Sequence, residues 1–216
     1  MSEHVFEPMR RAMVASQLRT TGVSDPRVVA AMGRVARERF VPEDRRAVAY
    51  ADAAVPLANG RKLNPPMVLG RLLTEGQLNG GERALVVGAG TGYSAAILVE
   101  LVADVVALEE DPDLSAFAGK ALGDTGVELV EGPLAKGFAK GAPYDFVLID
   151  GAVEYVPQAI VDQVVDGGRI AFAIDDRGVT RLCIGRVVGG ALGVATIADA
   201  AAATLPGFEK PRLFSF

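Results

Sequence analysis

Apolar residues recur along this chain in two rhythms. Met9, Ala12, Met13 and Ser16 fall at helical spacing within Pro8–Arg19, and Gly22 supplies a stop. Asp25 and Pro26 open a second helix as N-cap and first helical residue, with Val28, Val29, Met32 and Val35 apolar. Phe40-Val41-Pro42 breaks that pattern. Tyr50 to Pro66 has no period and carries two turn signals, Asn59-Gly60 and Pro65-Pro66. Met67 to Leu78 reads as an amphipathic helix ended by Asn79-Gly80-Gly81.

From Arg83 onward the rhythm changes to short apolar runs alternating with helical stretches. The predicted strands are Ala84–Val87, Asp104–Leu108, Val127–Glu131, Phe146–Ile149, Gly168–Ala173, Thr180–Val188 and Phe208–Phe216. The predicted helices are Tyr93–Leu101, Asp113–Leu122 and Tyr155–Gln163. Such alternation favours a parallel sheet covered on both faces. The turn residues Asp175-Asp176-Arg177-Gly178 make the last two strands antiparallel hairpin partners. The expected organisation is one α/β unit: a helical N-terminal extension with an irregular loop over residues 1–80, packed on a Rossmann-like doubly wound sheet over residues 81–216.

One junction in that pattern carries chemistry. The strand Ala84-Leu85-Val86-Val87 runs into Gly88-Ala89-Gly90-Thr91-Gly92, and Tyr93 opens the next helix. Glycines at a strand end let the backbone approach a ligand, and the following helix offers free N–H groups. The next strand ends in Glu109, where nucleotide-binding folds hold ribose hydroxyls. A dinucleotide fold places its third glycine at the position of Tyr93. Here the third glycine is Gly92, and the resulting Gly-x-Gly-x-Gly spacing resembles the S-adenosylmethionine loop of class I methyltransferases.

Composition removes competing chemistries. With a net charge of −5 the chain lacks the basic surface that non-specific nucleic-acid binding needs. No uncharged apolar stretch reaches membrane-spanning length, and the first residues lack a signal-peptide pattern, so a cytoplasmic protein is expected. Cys183 is the single cysteine and lies in the apolar run Leu182-Cys183-Ile184; His4 is the single histidine. A catalytic triad built on a core histidine is therefore excluded, and no metal site is expected.

Beyond the loop, the chain resembles the protein-L-isoaspartate O-methyltransferase family along almost its whole length. The matching pieces, in order, are Met13-Val14-Ala15-Ser16-Gln17-Leu18-Arg19, Arg37-Glu38-Arg39-Phe40-Val41-Pro42, Tyr50-Ala51-Asp52, the glycine loop, Val130-Glu131-Gly132, Ala142-Pro143-Tyr144-Asp145, Asp166-Gly167-Gly168-Arg169, Leu205-Pro206-Gly207-Phe208 and Phe214-Ser215-Phe216. The resemblance implies a class I methyltransferase sheet of seven strands, mostly parallel, with a C-terminal antiparallel hairpin. It implies S-adenosyl-L-methionine as cofactor and damaged, isoaspartyl-containing proteins or peptides as partners of a monomeric enzyme that engages neither nucleic acid nor membrane.

By position, the resemblance assigns Gly88, Ala89, Gly90, Thr91, Gly92 and Tyr93 to the cofactor turn, and Glu109 with Glu110 to the ribose. Glu131 and Gly132 fall near the adenine, and Asp150 faces the cleft from the end of the fourth strand. The acceptor-facing loop departs from the family. Where the family reads Gly-Gln-Thr-Ile-Ser-Gln-Pro, this chain reads Gly60-Arg61-Lys62-Leu63-Asn64-Pro65-Pro66. Lys62 and Asn64 replace the threonine and serine that contact the acceptor carboxylate, and Pro65 removes a backbone N–H. Two other readings follow from these changes: the same scaffold with a different acceptor, or a cofactor-binding protein with little turnover.

Overall fold

The computed structural model describes residues 3–210. Helix α1 (Glu3–Ala12) runs on through a π-helical turn over Met13–Leu18 and a tight turn to Thr21, and Gly22 ends it at φ 84°. This helix starts five residues before the predicted one. Helix α2 (Pro26–Arg34) is capped by Asp25, whose carboxylate accepts from the Arg27 amide at 2.8 Å.

The segment read as irregular holds a small hairpin. Strand β1 (Val55–Pro56) pairs antiparallel with β2 (Lys62–Leu63) around a tip where Asn59 and Gly60 both adopt positive φ. That is the backbone a two-residue hairpin turn demands, and Asn-Gly is its favoured sequence. Helix α3 (Pro66–Glu75) follows, ending three residues short of the prediction.

Then come β3 (Arg83–Val87), α4 (Tyr93–Leu98), β4 (Asp104–Glu109), α5 (Pro112–Leu122), β5 (Glu128–Glu131), β6 (Tyr144–Val153), α6 (Gln158–Val161), β7 (Val164–Asp176), β8 (Val179–Val188) and β9 (Ala191–Asp199). The main sheet has the order β5-β4-β3-β6-β7-β8-β9. Strands β5, β4, β3, β6 and β7 are mutually parallel, while β8 is antiparallel to both β7 and β9.

Three sequence expectations need correction. The fourth sheet strand does not end at Ile149. Its register with β7 shifts between Leu148 and Ala152, and β6 continues to Val153, so Asp150 sits in a bulge rather than at a strand end. The partner of β8 is Ala191–Asp199, not Phe208–Phe216. Gly189 and Gly190, both at positive φ, turn the chain directly back, and Phe208 lies buried outside any strand; residues 211–216 of that predicted strand lie outside the described residues. The last predicted helix shrinks to Gln158–Val161.

Alternation along β3 builds the core. Ala84 and Val86 join one buried apolar cluster and Leu85 and Val87 the other, as a period of two on a sheet buried on both faces requires. The first face carries the N-terminal layer: Met13, Leu18, Val23, Met32, Leu72 and Leu73 share one cluster with Val86, Phe146 and Ala171. The second face is covered by Ile160, Leu134, Leu205 and Phe208. Ion pairs at the rim add to the layer contact, with Arg34 meeting Glu100 at 2.7 Å.

Candidate active site

The chain leaves β3 at the centre of the sheet and turns sharply. Gly88, Gly90 and Gly92 take φ of 79°, 58° and 95°, a run that side-chain-bearing residues rarely adopt. The amides of Gly88 and Ala89 both donate to the Leu108 carbonyl, at 2.9 and 3.0 Å, which pins the turn to the end of β4. Glu109, fully buried, comes next on β4, and its Oε2 accepts from the Gly90 amide at 2.6 Å. Its Oε1 accepts from the amides of Glu110 and Asp111 at 2.9 and 3.1 Å. The turn and the carboxylate form one hydrogen-bonded unit.

Residues assigned by sequence to the cofactor divide in their placement. Glu110 and Glu131 are exposed near the strand tips, with Glu131 in register beside Glu109 and Gly132 donating to the Glu109 carbonyl at 3.1 Å. Thr91 and Tyr93 turn their side chains toward the N-terminal layer. Thr91 Oγ1 donates to the Phe40 carbonyl at 2.6 Å, and the Tyr93 ring lies 5.6 Å from that of Phe40. Arg37 stacks on the same ring, its Cζ 4.7 Å from the centroid. Burial pulls the Arg37 guanidinium below its usual range while Tyr93 opposes that fall, and burial lifts the Tyr93 phenol. What these two side chains do here is fasten the layer over the turn.

The acceptor-facing loop also splits. Lys62 is exposed on β2. Asn64 is buried, and both ends of its amide are engaged: Nδ2 donates to Asp150 Oδ1 at 2.9 Å and Oδ1 accepts from the Ala203 amide at 2.8 Å. Its carbonyl accepts from Arg37 Nη2 at 2.6 Å. Burial pushes the Asp150 carboxyl above the usual carboxylate range, with the Asn64 hydrogen bond and the nearby Arg61 and Arg37 charges opposing.

Sequence reading missed three residues that shape the cleft. Arg61, 8% exposed, places Nη1 2.8 Å from Glu109 Oε1 and Nη2 3.2 Å from Oε2, and Nη2 also donates to the Gly88 carbonyl at 3.3 Å. Leu205 arrives from the segment after β9, where the Ala152 amide donates to the Ala203 carbonyl at 2.7 Å and the Ala152 carbonyl accepts from the Leu205 amide at 2.9 Å. A Cβ on Gly88 would stand 2.6 Å from Leu205 Cδ1, and one on Gly90 3.6 Å from Leu57 Cδ1. Leu57, Arg61 and Leu205 thus roof the glycine turn. Only pairing across 48 residues brings Arg61 to Glu109, and no local signal announces it.

A glycine turn between a central strand and its helix, bonded to a carboxylate on the neighbouring strand tip of a seven-stranded sheet, defines a class I S-adenosylmethionine-dependent methyltransferase fold. Within that class, the chain belongs to the protein-L-isoaspartate(D-aspartate) O-methyltransferase family, whose model matches residues 9–186. It is 38% identical over 181 residues to Protein-L-isoaspartate O-methyltransferase 1 of Rhodopseudomonas palustris, covering 82% of this chain and 74% of the relative. A solved protein-L-isoaspartate O-methyltransferase superposes with a TM-score of 0.78 at 22% identity, over 93% of this chain and 66% of that one. A structure from Plasmodium falciparum, assigned to the same activity and solved with S-adenosyl-L-homocysteine, gives a TM-score of 0.75 at 18% identity over 91% and 97%.

The family's cofactor is S-adenosylmethionine, and the donor set here suits its parts. The open-φ glycine turn accepts a close ligand, and a buried carboxylate on the adjacent strand tip suits vicinal hydroxyls. The one residue standing in that position already is Arg61.

Proposed function

We propose that this chain transfers a methyl group from S-adenosyl-L-methionine to the carboxylate of isoaspartyl residues in damaged proteins. The observation that carries this is the hydrogen-bonded unit of Gly90 and Glu109 at the end of β3, in a chain of this family. The cofactor supplies an electrophilic methyl on a sulfonium. Gly88, Ala89, Gly90 and Gly92 would line it through backbone, Glu109 with Glu110 would hold the ribose, and Glu131 and Gly132 would flank the adenine. An acceptor carboxylate is ionised near neutrality, so the protein needs no general base. Its work is alignment in a dry cleft, which Leu57 and Leu205 roof.

A second reading concerns the acceptor. Asn64 replaces the family's serine, yet its amide is already committed to Asp150 and Ala203, and the Lys62 side chain is exposed. Asn64 therefore has at most one of its two amide N–H donors left, on a buried and anchored side chain, where the family orients its substrate. Little or no isoaspartyl turnover, or a different acceptor on the same scaffold, follows from that arrangement. The deciding experiment is transfer of labelled methyl to an isoaspartyl peptide beside its normal aspartyl twin. Label on the isoaspartyl peptide alone supports the first reading; label on neither, with cofactor bound, supports the second.

The chain is proposed to act as a cytoplasmic monomer, engaging neither membrane nor nucleic acid. The net charge of −5 supports this, as does the absence, among the described residues, of a helix long and apolar enough to cross a membrane. Residues 1–80 would act as the roof and acceptor-facing layer of the sheet formed by residues 81–216, the two sharing one apolar cluster.

A further inference from the structure

Count the donors on Glu109. Oε1 receives Arg61 Nη1, the Glu110 amide and the Asp111 amide; Oε2 receives Arg61 Nη2 and the Gly90 amide. A carboxylate has about four lone-pair sites, so five donors leave no capacity for two ribose hydroxyls. The three backbone amides are built into the turn and the strand tip. The two Arg61 N–H groups are the only donors of the five carried by a side chain, and the only ones on a separate element.

That element is the β1–β2 hairpin. Leu57 and Arg61 close it, with the Leu57 amide donating to the Arg61 carbonyl at 2.8 Å and the Arg61 amide to the Ala58 carbonyl at 3.0 Å. The tip is tied down once more, where Asn59 Nδ2 meets Asp111 Oδ2 at 2.8 Å. Three residues beyond Arg61, just past β2, Asn64 reaches Asp150. The guanidinium therefore joins the acceptor-facing loop to the carboxylate of the cofactor turn.

Building on the methyltransferase reading, we propose that Arg61 is an internal competitor for the ribose site. It mimics the two hydroxyls with its paired N–H groups, and cofactor binding requires its release from Glu109. The β1–β2 hairpin loosens in that exchange, so cofactor occupancy and the acceptor-facing loop are coupled. A ligand that must displace a resident group binds with an affinity reduced by the fraction of molecules in which that group has already left. Removing the competitor then raises affinity, the opposite of what removing a cofactor-holding residue does.

The test is calorimetry with S-adenosylhomocysteine and with adenosine, on the full chain and its Arg61→Gln and Arg61→Lys variants, each checked for folding by circular dichroism. Arg61→Gln should bind both ligands about tenfold more tightly or better, and Arg61→Lys, with a single-point cation, should fall between. The gain should vanish in an Glu109→Gln background, where there is no full charge to compete for. Hydrogen exchange gives a readout independent of affinity. Adding S-adenosylhomocysteine to the wild-type chain should speed exchange at the Leu57 and Arg61 amides while slowing it at Gly90. Equal or weaker binding by Arg61→Gln, or protection of the Leu57 and Arg61 amides on ligand addition, overturns the proposal and leaves the methyltransferase reading standing. Absence of binding by both wild type and Arg61→Gln overturns the two together.

Discussion

Asn64 Nδ2 lies 2.9 Å from Asp150 Oδ1, joining two residues 86 positions apart on opposite walls of the cleft. The same amide holds the Ala203 N–H at 2.8 Å, so one side chain bridges the loop, the bulge of β6 and the strap that follows β9. Asn64→Ala should leave a buried amide and a partly buried carboxylate without partners. A loss of about 1–3 kcal/mol in urea unfolding is expected. Asn64→Ser, too short to span both partners, should recover part of it at most. Wild-type stability in Asn64→Ala would remove the bridge from the stability account.

Asp150 gives a pH test with a defined sign. Its carboxyl is raised in the folded chain, chiefly by burial, so the native state holds this proton more tightly than the unfolded one. Its contribution is fully favourable below the unfolded value and is lost as pH rises through the folded one. Asp150→Asn keeps an oxygen acceptor for Asn64 and removes the charge. The variant should melt higher than wild type at about pH 8, with the difference shrinking toward about pH 4. A gap that widens in acid would reverse the sign.

The Arg61–Glu109 pair predicts an asymmetry in stability. Glu109→Ala strands a guanidinium that is 8% exposed, together with three amides that had faced the carboxylate. Breaking one side of a buried pair costs about 3–5 kcal/mol. Glu109→Gln, which retains an acceptor oxygen, should cost less. Guanidinium chloride midpoints of the two variants check the order.

Gly70 tests how closely the N-terminal layer is seated. A Cβ at that position would stand 2.8 Å from one Val23 methyl and 3.3 Å from Met32 Sδ. Gly70→Ala gains helix propensity but overpacks the junction of α3 with residues 23–32, and a net loss of about 1–3 kcal/mol is expected from differential scanning calorimetry. Limited proteolysis should not release a stable piece beginning near residue 80, because both parts contribute to one core.

Local patterns made much of this fold legible. The β3 run, the three glycines and Glu109 lie within about two dozen residues of one another, and strand-turn-helix chemistry is written in consecutive residues. The turn at Arg177-Gly178 was equally plain, since both residues take the positive φ that a tight hairpin requires. Gly189-Gly190 takes the same positive φ, but β9 after it is largely exposed and its small residues lack the apolar alternation that makes a half-buried strand legible in sequence. The acceptor loop was the hardest to read. Asn64 finds its partners 86 and 139 positions away, and Arg61 finds Glu109 at 48, distances at which only the folded register decides who meets whom.

The shared core also sets an order on synthesis. Met13, Leu18, Met32 and Leu73 emerge from the ribosome first, but the sheet residues they cluster with, Phe146 and Ala171, come far later. Gly76 abuts the Phe146 ring, and Arg169 fixes the end of α3 by donating to the Gly76 carbonyl at 2.9 Å. Until those strands are made, the N-terminal helices have an apolar face with nothing to cover it. A nascent chain halted before Phe146 should therefore depend on chaperones and be prone to aggregate, whereas one released after β8 can close around its own first helices.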